Sequence, residues 1–346
     1  YQKNLSKYIF IIYNMQIYIT SLLFSALTHI SCGQFVSFES FVEKYNKNYE
    51  NKEIYNMKKQ VYEKNLHKIN QLKQEHPNIV FDMNIYGDLT HNEFHGTMKG
   101  YQKTKLSRFT KTKGCVKYHS NETIKNIPSS WDWRSEGGVT PVKDQGQCGS
   151  CWSFSSTGAM EGAWFVSTGQ LVSLSEQQLV DCSTRYINFG CNGGEMDHAF
   201  DYAIDNGMCL EVDVPYLAET DSCSDNELNC NKVAYFSSCV DVPSKNEVAL
   251  QEAVYMNPVS VAIEADTSVF QFYKGGVLNS EQCGTSLDHG VLVVGYGTEN
   301  NQDYWIVKNS WGSNWGENGY IRIAKSSSTS TNGVCGIAMQ PSFIVV

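Results

Sequence analysis

Gln145-Gly-Gln-Cys-Gly-Ser-Cys151-Trp152 places two cysteines three positions apart, directly before an apolar run that extends to Phe165. A run of this length and composition predicts a buried helix, so Cys151 would lie at a helix N-terminus. The positive end of a helix dipole lowers the pKa of a thiol and favours the nucleophilic thiolate. The pattern therefore indicates a reactive Cys151 and a structural, disulfide-bonded Cys148. A redox-active Cys-x-x-Cys pair is the alternative that the doublet alone leaves open.

A histidine and an asparagine follow in two motifs far downstream. His289 stands in Leu287-Asp-His-Gly-Val-Leu-Val-Val-Gly-Tyr-Gly297, and Asn309 stands in Tyr304-Trp-Ile-Val-Lys-Asn-Ser-Trp-Gly312. An imidazolium beside a thiol stabilises the thiolate and can then protonate a leaving amine, while a side-chain amide can orient the ring. A redox site requires neither residue, so the two motifs favour nucleophilic catalysis by Cys151.

These three motifs together resemble those of the papain family of cysteine peptidases, and most closely of its cathepsin L-like branch. The resemblance is nearly continuous from Ile127-Pro-Ser-Ser-Trp-Asp-Trp-Arg134 to Val346. It implies an α+β fold with a helical subdomain, a β-barrel-like subdomain and a cleft between them, preceded by a helical inhibitory propeptide. The residues agree, because strand patterns cluster after Pro258. These patterns cover residues 259–263, 290–296, 304–307 and 320–323.

The resemblance also implies a role for each catalytic residue. Cys151 would be the nucleophile, His289 its acid–base partner, and Asn309 the residue that orients the imidazole. The tetrahedral oxyanion needs hydrogen-bond donors, and the Gln145 side-chain amide and the Cys151 backbone N–H would supply them. No cofactor is expected.

For substrate binding, the resemblance points to the glycines of Cys191-Asn-Gly-Gly194, where Gly193 and Gly194 would let a peptide backbone approach and pair. Trp311 would shield the His–Asn hydrogen bond. A pocket for the side chain two residues before the scissile bond would favour Leu, Val or Phe. It would be lined by Met196, Ala262, Leu287 and Gln340, with Glu195 at an exposed rim position where its charge has a small effect.

Twelve cysteines indicate an oxidising compartment. The resemblance implies three disulfides, Cys148–Cys191, Cys182–Cys223 and Cys283–Cys335. One further bridge, such as Cys209–Cys239, would leave Cys230 as a thiol, and the pairing of Cys115 stays open. No metal site is expected, since no paired Cys-x-x-Cys or His spacing accompanies these cysteines.

The N-terminal region predicts a signal peptide over residues 1–33, with Met15 as one candidate start of translation. The apolar stretch from Met15 to Ile30 ends in small residues, Ser31-Cys-Gly33, which suits cleavage before Gln34. A membrane anchor is the alternative, but the stretch is short and contains Thr, Ser and His. A stable membrane anchor is therefore not expected.

Residues 34–126 predict an inhibitory propeptide and connector, followed by the mature peptidase domain, 127–346. Apolar residues at helical spacing between Phe35 and Lys73 predict two amphipathic helices. Val61-Tyr62-x-x-Asn65-x-x-x-Ile69 and Asn84-Ile-Tyr86-Gly-Asp88 resemble the two motifs of cathepsin L-type propeptides. Asn121-Glu-Thr123, in the polar connector, is an N-glycosylation sequon.

The expected function is that of a cysteine endopeptidase that acts through an acyl-enzyme and is made as a zymogen activated at acidic pH. Its partners would be protein and peptide substrates, its own propeptide and cystatin-type inhibitors; we expect a monomer that binds no nucleic acid. The expected location is the secretory pathway, leading to a lysosome, an acidic vacuole or the exterior. An inactive binding or storage homologue and a transpeptidase are the alternatives. Exopeptidase activity is not favoured, because no long insertion with paired histidines is present.

Charge is divided unevenly along the chain. Residues 1–126 contain 18 Lys and Arg against 10 Asp and Glu, whereas residues 127–346 contain 9 against 26. The simple interpretation is an acidic hydrolase with a soluble prosegment. A sharper hypothesis is electrostatic docking of a basic prosegment on an acidic enzyme, weakened by acid and by salt.

Overall fold

The computed structural model describes residues 37–98, 100–103, 112–118, 127–224 and 229–346. It contains two compact units, residues 1–56 and residues 57–346. The predicted signal peptide and the Asn121 sequon lie outside the described residues. Within the described ranges, every helix is too short or too polar to cross a membrane.

In the first unit, helix α1 spans Phe38–Lys44 and begins after Ser37, whose hydroxyl accepts the N–H of Ser40. This cap satisfies one of the backbone donors that every helix N-terminus leaves without a partner. The α1 side chains Phe38 and Phe41 are buried, and the Phe38 ring lies edge-on to Tyr55 at 5.1 Å. The predicted apolar spacing thus forms an amphipathic helix.

Helix α2 spans Lys52–Glu75 and is the second of the two predicted prosegment helices. In the second unit, its Asn65 side chain donates to the carbonyls of Gly87 and Leu89, both at 2.9 Å. Lys58 forms an ion pair with Glu93 at 2.7 Å. Strand β1 (Val80–Phe81) and helix α3 (His91–Met98) follow α2. The contacts join α2 to α3 and to the loop that precedes α3.

The helical part of the enzyme is built around α4, Cys151–Thr168, which carries small residues on the side that faces the sheet. A Cβ on Gly158 would stand 2.7 Å from the Leu292 side chain, and a Cβ on Gly162 would stand 2.4 Å from Pro258. The absence of side chains at these positions lets α4 lie close against the strands. The other helices are α5 (Glu176–Cys182), α6 (Met196–Asn206), α7 (Glu247–Met256) and α8 (Ser268–Gln271).

A nine-stranded sheet forms the other part, in the order β2-β6-β13-β7-β10-β11-β12-β9, with β3 paired to β10. Two small two-stranded sheets pair β1 with β8 and β4 with β5. The strands are β2 (Val116–Lys117), β3 (Trp131–Asp132), β4 (Met208–Cys209), β5 (Lys232–Ala234), β6 (Ser238–Asp241), β7 (Val259–Ile263), β8 (Tyr273–Gly275), β9 (Val277–Leu278), β10 (His289–Glu299), β11 (Gln302–Lys308), β12 (Tyr320–Ala324) and β13 (Ser342–Val345). All four strands predicted after Pro258 are present, as β7, β10, β11 and β12.

Candidate active site

The Cys151 thiol lies at the junction of the helical part and the sheet. Cys151 is the first residue of α4 and is fully buried, and its Sγ accepts the backbone N–H of Gly290 at 3.2 Å. His289 and Gly290 begin β10 and pair with Ile263 and Ala262 of β7. The sheet register therefore places His289 beside the helix N-terminus, as the sequence predicts.

Asn309 holds the imidazole of His289 in one orientation. The Asn309 Oδ1 atom lies 2.8 Å from His289 Nε2 and also accepts the backbone N–H of Ser310 at 2.8 Å. Because an amide oxygen only accepts, Nε2 carries the proton and Nδ1 is left as the basic nitrogen. The Trp311 ring covers this pair, with its centroid 4.9 Å from that of His289.

Gln145 is fixed at both ends of its side chain. Its Oε1 accepts from the Ser310 hydroxyl at 2.7 Å, and its Nε2 donates to the Cys148 carbonyl at 3.0 Å. Its backbone N–H donates to the Ser310 carbonyl at 2.8 Å. The Gln145 side chain is therefore fixed between Cys148 and Ser310, and Ser310 is a supporting residue that sequence reasoning missed.

Burial shifts the pKa of both reactive groups toward the neutral form. Burial raises the pKa of Cys151 to about 12, against the opposing effect of the Gly290 N–H. Burial also lowers the pKa of His289 to about 4, although the hydrogen bond that the ring donates to Asn309 and the nearby Met98 backbone favour the charged ring. Burial therefore opposes the thiolate–imidazolium pair expected from the sequence, whereas the hydrogen bonds to the two groups favour it.

The prosegment contributes to this burial. A Cβ on Gly100 would stand 2.2 Å from the Gly149 carbonyl oxygen and 3.0 Å from Cys151 Sγ, so the prosegment backbone passes directly over the thiol. The N–H groups of Gly100 and Tyr101 both donate to the Asp288 carbonyl at 3.0 Å. Only a residue without a side chain fits at this crossing.

The prosegment backbone also pairs with the glycine predicted to bind substrate. Gly194 donates to the Gly100 carbonyl at 2.8 Å and accepts from the Gln102 N–H at 2.9 Å, which forms a parallel bridge centred on Tyr101. The neighbouring Gly193 has φ of 116°, a conformation that side chains rarely adopt. This edge therefore pairs with an extended peptide backbone in β fashion.

The residues predicted to line the specificity pocket are brought together. Met196 begins α6, and its Sδ would lie 3.2 Å from a Cβ on Gly290; Ala262 is the register partner of Gly290. Leu287 is half-buried two residues before His289. Gln340 accepts from the Lys103 ammonium of the prosegment at 2.7 Å.

The prediction that Glu195 is exposed was wrong for this state. Its exposed fraction is 5%, and its carboxylate lies 3.4 Å from the Gln340 amide and 3.7 Å from His198 Nε2. Tyr101 of the prosegment is buried and lies near enough for the Glu195 charge to raise its pKa. The expectation from the sequence considered the enzyme without its prosegment, so it did not include Tyr101 near Glu195.

Trp311 is the centre of an aromatic cluster that the prosegment completes. The enzyme supplies Phe270 at 5.4 Å and Trp315 at 5.0 Å. The prosegment adds Tyr86 at 5.7 Å and Phe94 at 5.4 Å, both edge-on. Tyr86 lies in a predicted propeptide motif, whereas Phe94 was missed; its only signal is an aromatic residue in an otherwise polar stretch.

The three disulfides implied by the resemblance, Cys148–Cys191, Cys182–Cys223 and Cys283–Cys335, are all present. The suggested Cys209–Cys239 bridge was wrong, because Cys209 pairs with Cys230 and Cys239 pairs with Cys115. That suggestion considered only cysteines after Ile127, whereas the connector brings Cys115 within 4.7 Å of Cys239, measured between Cα atoms. Among the described cysteines, Cys151 alone has no disulfide partner.

Comparison with known proteins agrees with this geometry. Residues 127–345 match the papain family cysteine protease domain, and residues 38–94 match the cathepsin propeptide inhibitor domain. The chain is 47% identical to "Cathepsin L" of Sarcophaga peregrina over 87% of this chain and 90% of that protein. It is 46% identical to "Probable cysteine protease RD21B" of Arabidopsis thaliana, over 82% of this chain but only 60% of that protein.

Among solved structures, digestive procathepsin L 3 of the Tenebrio molitor larval midgut superposes with a TM-score of 0.77. It shares 40% sequence identity, over 89% of this chain and 97% of that chain. Both domain matches and the propeptide seated over Cys151 are consistent with a zymogen. The chain belongs to the papain family of cysteine proteases and carries its own cathepsin-type inhibitory propeptide.

Proposed function

We propose that Cys151, His289, Asn309 and Gln145 carry out the peptide-bond hydrolysis of this cysteine endopeptidase. The assignment is supported by the contacts between the start of helix α4 and the start of strand β10. The Cys151 thiol accepts the Gly290 N–H at 3.2 Å, and the preceding residue, His289, is held by Asn309 at 2.8 Å. A nucleophile, a base and the group that orients the base thus meet at one helix N-terminus.

In the proposed mechanism, departure of the propeptide lets water reach the thiol and the imidazole. Solvation removes the main cause of their neutral state, so the Cys151 proton passes to His289 Nδ1. The thiolate attacks the substrate carbonyl, and His289 protonates the leaving amine to give the acyl-enzyme. Water, deprotonated by His289, then releases the carboxylic acid and restores the thiol.

Charge on the tetrahedral intermediate would be stabilised by the Cys151 backbone N–H and the Gln145 amide. One hydrogen of the Gln145 amide is donated to the Cys148 carbonyl, which leaves the second for the oxyanion. The contacts of Gln145 with Ser310 fix this donor before substrate binds. Such preorganisation lowers the barrier, because no donor has to reorient in the transition state.

Substrate would lie along Gly193 and Gly194, where the prosegment backbone lies in the zymogen. We propose that Met196, Ala262 and Leu287 accept Leu, Val or Phe two residues before the cut. Gln340 and Glu195, which approach to 3.4 Å, would form the polar end of this pocket and permit some basic side chains. Trp311 would line the leaving-group side.

Activation is proposed to occur at acidic pH by removal of the propeptide, with boundaries at residues 1–33 for the signal peptide, 34–126 for the propeptide and 127–346 for the mature domain. We further propose a monomer of the secretory pathway that is directed to an acidic vacuole, a lysosome or the exterior, and that cystatin-type inhibitors bind the open cleft. Support comes from the five disulfides, which persist in oxidising compartments.

The test is to incubate the purified precursor at acidic pH, sequence the new N-terminus and profile cleavage of a peptide library. The proposal expects acid-dependent processing, internal cleavage of peptides and a preference for apolar residues two positions before the cut. Labelling of Cys151 by an active-site-directed epoxide should be much faster after processing than in the uncut precursor. A library profile dominated by Pro or acidic residues at that position would overturn the pocket assignment.

A further inference from the structure

Residues 112–118 belong to the connector by sequence but to the enzyme sheet by structure. Strand β2 pairs in parallel with β6, with Val116 opposite Val240 and Lys117 opposite Asp241. The Tyr118 N–H continues this pairing with the Asp241 carbonyl at 2.8 Å. Strand β2 is therefore the terminal strand of the nine-stranded sheet.

The start of this segment is fixed by two carboxylates of helix α6. The backbone N–H groups of Lys113 and Gly114 both donate to one oxygen of Asp201, at 2.8 Å and 3.0 Å. The Lys113 ammonium forms an ion pair with Asp205 at 2.6 Å. Asp201 is 3% exposed, so these two N–H groups are the donors that compensate a buried carboxylate.

A covalent bond completes the attachment. Cys115 stands directly before β2, and its disulfide with Cys239 of β6 joins positions 124 residues apart in the chain. Cys239 is 2% exposed. By contrast, Gly100–Lys103, the cleft-binding part of the same connector, is held by hydrogen bonds and by packing of the buried Tyr101 side chain, without a covalent bond to the enzyme.

This arrangement changes the outcome of a cut near Asn126–Ile127. Such a cut leaves everything before it linked to the enzyme through Cys115–Cys239. A tethered inhibitor has a high effective concentration at its own site, so the cleft segment would rebind and inhibition would persist. Release of the inhibitory part therefore requires a second break in the chain, on the N-terminal side of Thr112.

We propose that the mature enzyme consists of two disulfide-linked chains, in which residues 112–118 remain as the edge strand of the enzyme sheet. This inference rests on the proposed activation by proteolysis. Each of the two cuts adds one water across one peptide bond, and the disulfide is neither formed nor broken. The retained strand covers the edge of β6, which would otherwise present unpaired backbone groups to solvent.

The first test uses the uncut precursor. Cys151→Ser protein, which cannot process itself, is digested without reduction, and the peptides are analysed by mass spectrometry. We expect one cross-linked pair containing Cys115 and Cys239, which separates into two peptides on reduction. Detection of Cys239 as a free thiol, or in a pair with Cys209, would overturn the proposal.

The second test compares intact masses of the acid-matured protein before and after reduction. We expect the mass of the non-reduced protein to include a fragment that contains Cys115 and is lost completely on reduction. The Cys115→Ser, Cys239→Ser double variant should mature without that fragment. The matched control, Cys209→Ser, Cys230→Ser, removes a disulfide within the enzyme and should retain it.

These tests distinguish failure of the proposed Cys115–Cys239 linkage from failure of the proposed activation. If acid causes no cleavage, the activation proposal fails, but cleavage of the precursor by added pepsin still allows the same mass comparison. If the double variant does not fold, the wild-type masses decide the question. A mature enzyme whose mass is unchanged by reduction, apart from the added hydrogens, would overturn the proposal.

Discussion

Two segments of one connector bind the enzyme in different ways. Gly100–Lys103 lies in the cleft and is held mainly by backbone hydrogen bonds to Asp288 and Gly194. We expect a substrate to bind the same backbone groups of the enzyme. Residues 112–118 lie on the sheet edge, where a disulfide, a parallel strand and a buried carboxylate hold them. The first segment makes contacts that a substrate can replace, whereas the second makes contacts that persist.

The inhibitory contacts act on the chemistry as well as on access. The prosegment places Gly100 over Cys151 and seals the thiol and the imidazole from water. Burial moves the pKa of Cys151 up and that of His289 down, and both shifts favour the neutral groups. We therefore expect the zymogen to be held inactive by protonation of its nucleophile as well as by the filled cleft.

The largest expected effect is on catalysis. Cys151→Ser should lower peptidase activity by roughly 10⁵-fold while the fold is retained, because a serine hydroxyl is a far poorer nucleophile in this site. Both connector segments should stay bound, and the precursor should accumulate uncut. Activity and the circular dichroism spectrum are the measurements.

Cys148→Ser is the matched variant for this experiment. It removes the disulfide to Cys191 and should lower stability by about 2–5 kcal/mol, with activity retained in the folded fraction. Loss of activity in Cys148→Ser together with full activity in Cys151→Ser would reverse the proposed roles of the two cysteines.

The next effect concerns the cleft segment alone. Gly100→Ala places a methyl group against the Gly149 carbonyl, so the prosegment backbone must move and lose its hydrogen bonds. We expect binding of the prosegment to the cleft to weaken by about 2–3 kcal/mol. This corresponds to about 100-fold faster labelling of Cys151 by an epoxide in the uncut precursor. Gly96→Ala on α3 is the control, because no atom lies within 4 Å of its Cβ position.

The pH dependence of activation should reflect two groups, His289 and Asp288, whose protonation favours opposite states of the propeptide. Burial lowers the pKa of His289 to about 4 in the inhibited state, whereas the solvated ring holds a proton at higher pH, so acid favours release. Burial raises the pKa of Asp288 to about 7, so protonation of this buried carboxyl favours the inhibited state. The two shifts act in opposite directions.

Asp288→Asn tests this balance. The neutral amide does not titrate, so the pKa shift of His289 is left without the opposing shift of the Asp288 carboxyl. The rate of epoxide labelling of the uncut variant should therefore rise more steeply between pH 7 and pH 4 than that of the parent protein. A slope that is unchanged, or shallower, would show that the carboxyl of Asp288 does not contribute. Labelling reports opening of the cleft and does not require processing.

The smallest expected effect is that of salt. Two contacts between basic and acidic side chains join the enzyme to the preceding segments within the described ranges. Lys113, in the segment that leads into β2, pairs with Asp205, and His95 lies 2.6 Å from Asp266, which is an ion pair only when the histidine is protonated. Exposed pairs contribute about 1 kcal/mol or less. High salt should therefore speed labelling of Cys151 by less than about fivefold. A larger change would favour the long-range electrostatic docking that the uneven charge distribution suggests.

Local patterns were sufficient for part of the structure. The apolar run after Cys151 predicted α4, and short runs rich in β-branched and aromatic residues predicted β7, β10, β11 and β12. The positions of His289 and Asn309 within such elements follow from the motifs. Short strands such as β2 have too few residues for a periodic signal, so their pairing with β6 could not be predicted.

Other features depend on contacts between distant parts of the chain. The Cys115–Cys239 bridge requires the connector to return to the enzyme sheet, and cysteine counting after Ile127 does not contain that information. The burial of Glu195 and the neutral state of Cys151 both depend on cover from the prosegment. A sequence motif identifies a reactive residue but not the protonation state that its surroundings impose.

The central claim is that the propeptide keeps Cys151 protonated, and the thiolate can be observed directly by its ultraviolet absorbance. The absorbance of the Cys151→Ser variant is subtracted from that of the parent protein at each pH. The comparison is made with the uncut precursors and again after added pepsin has removed the propeptide. We predict no thiolate signal in the precursor at neutral pH and a clear signal in the mature enzyme at neutral and mildly acidic pH. A thiolate signal of equal size in the uncut precursor at neutral pH would contradict the account.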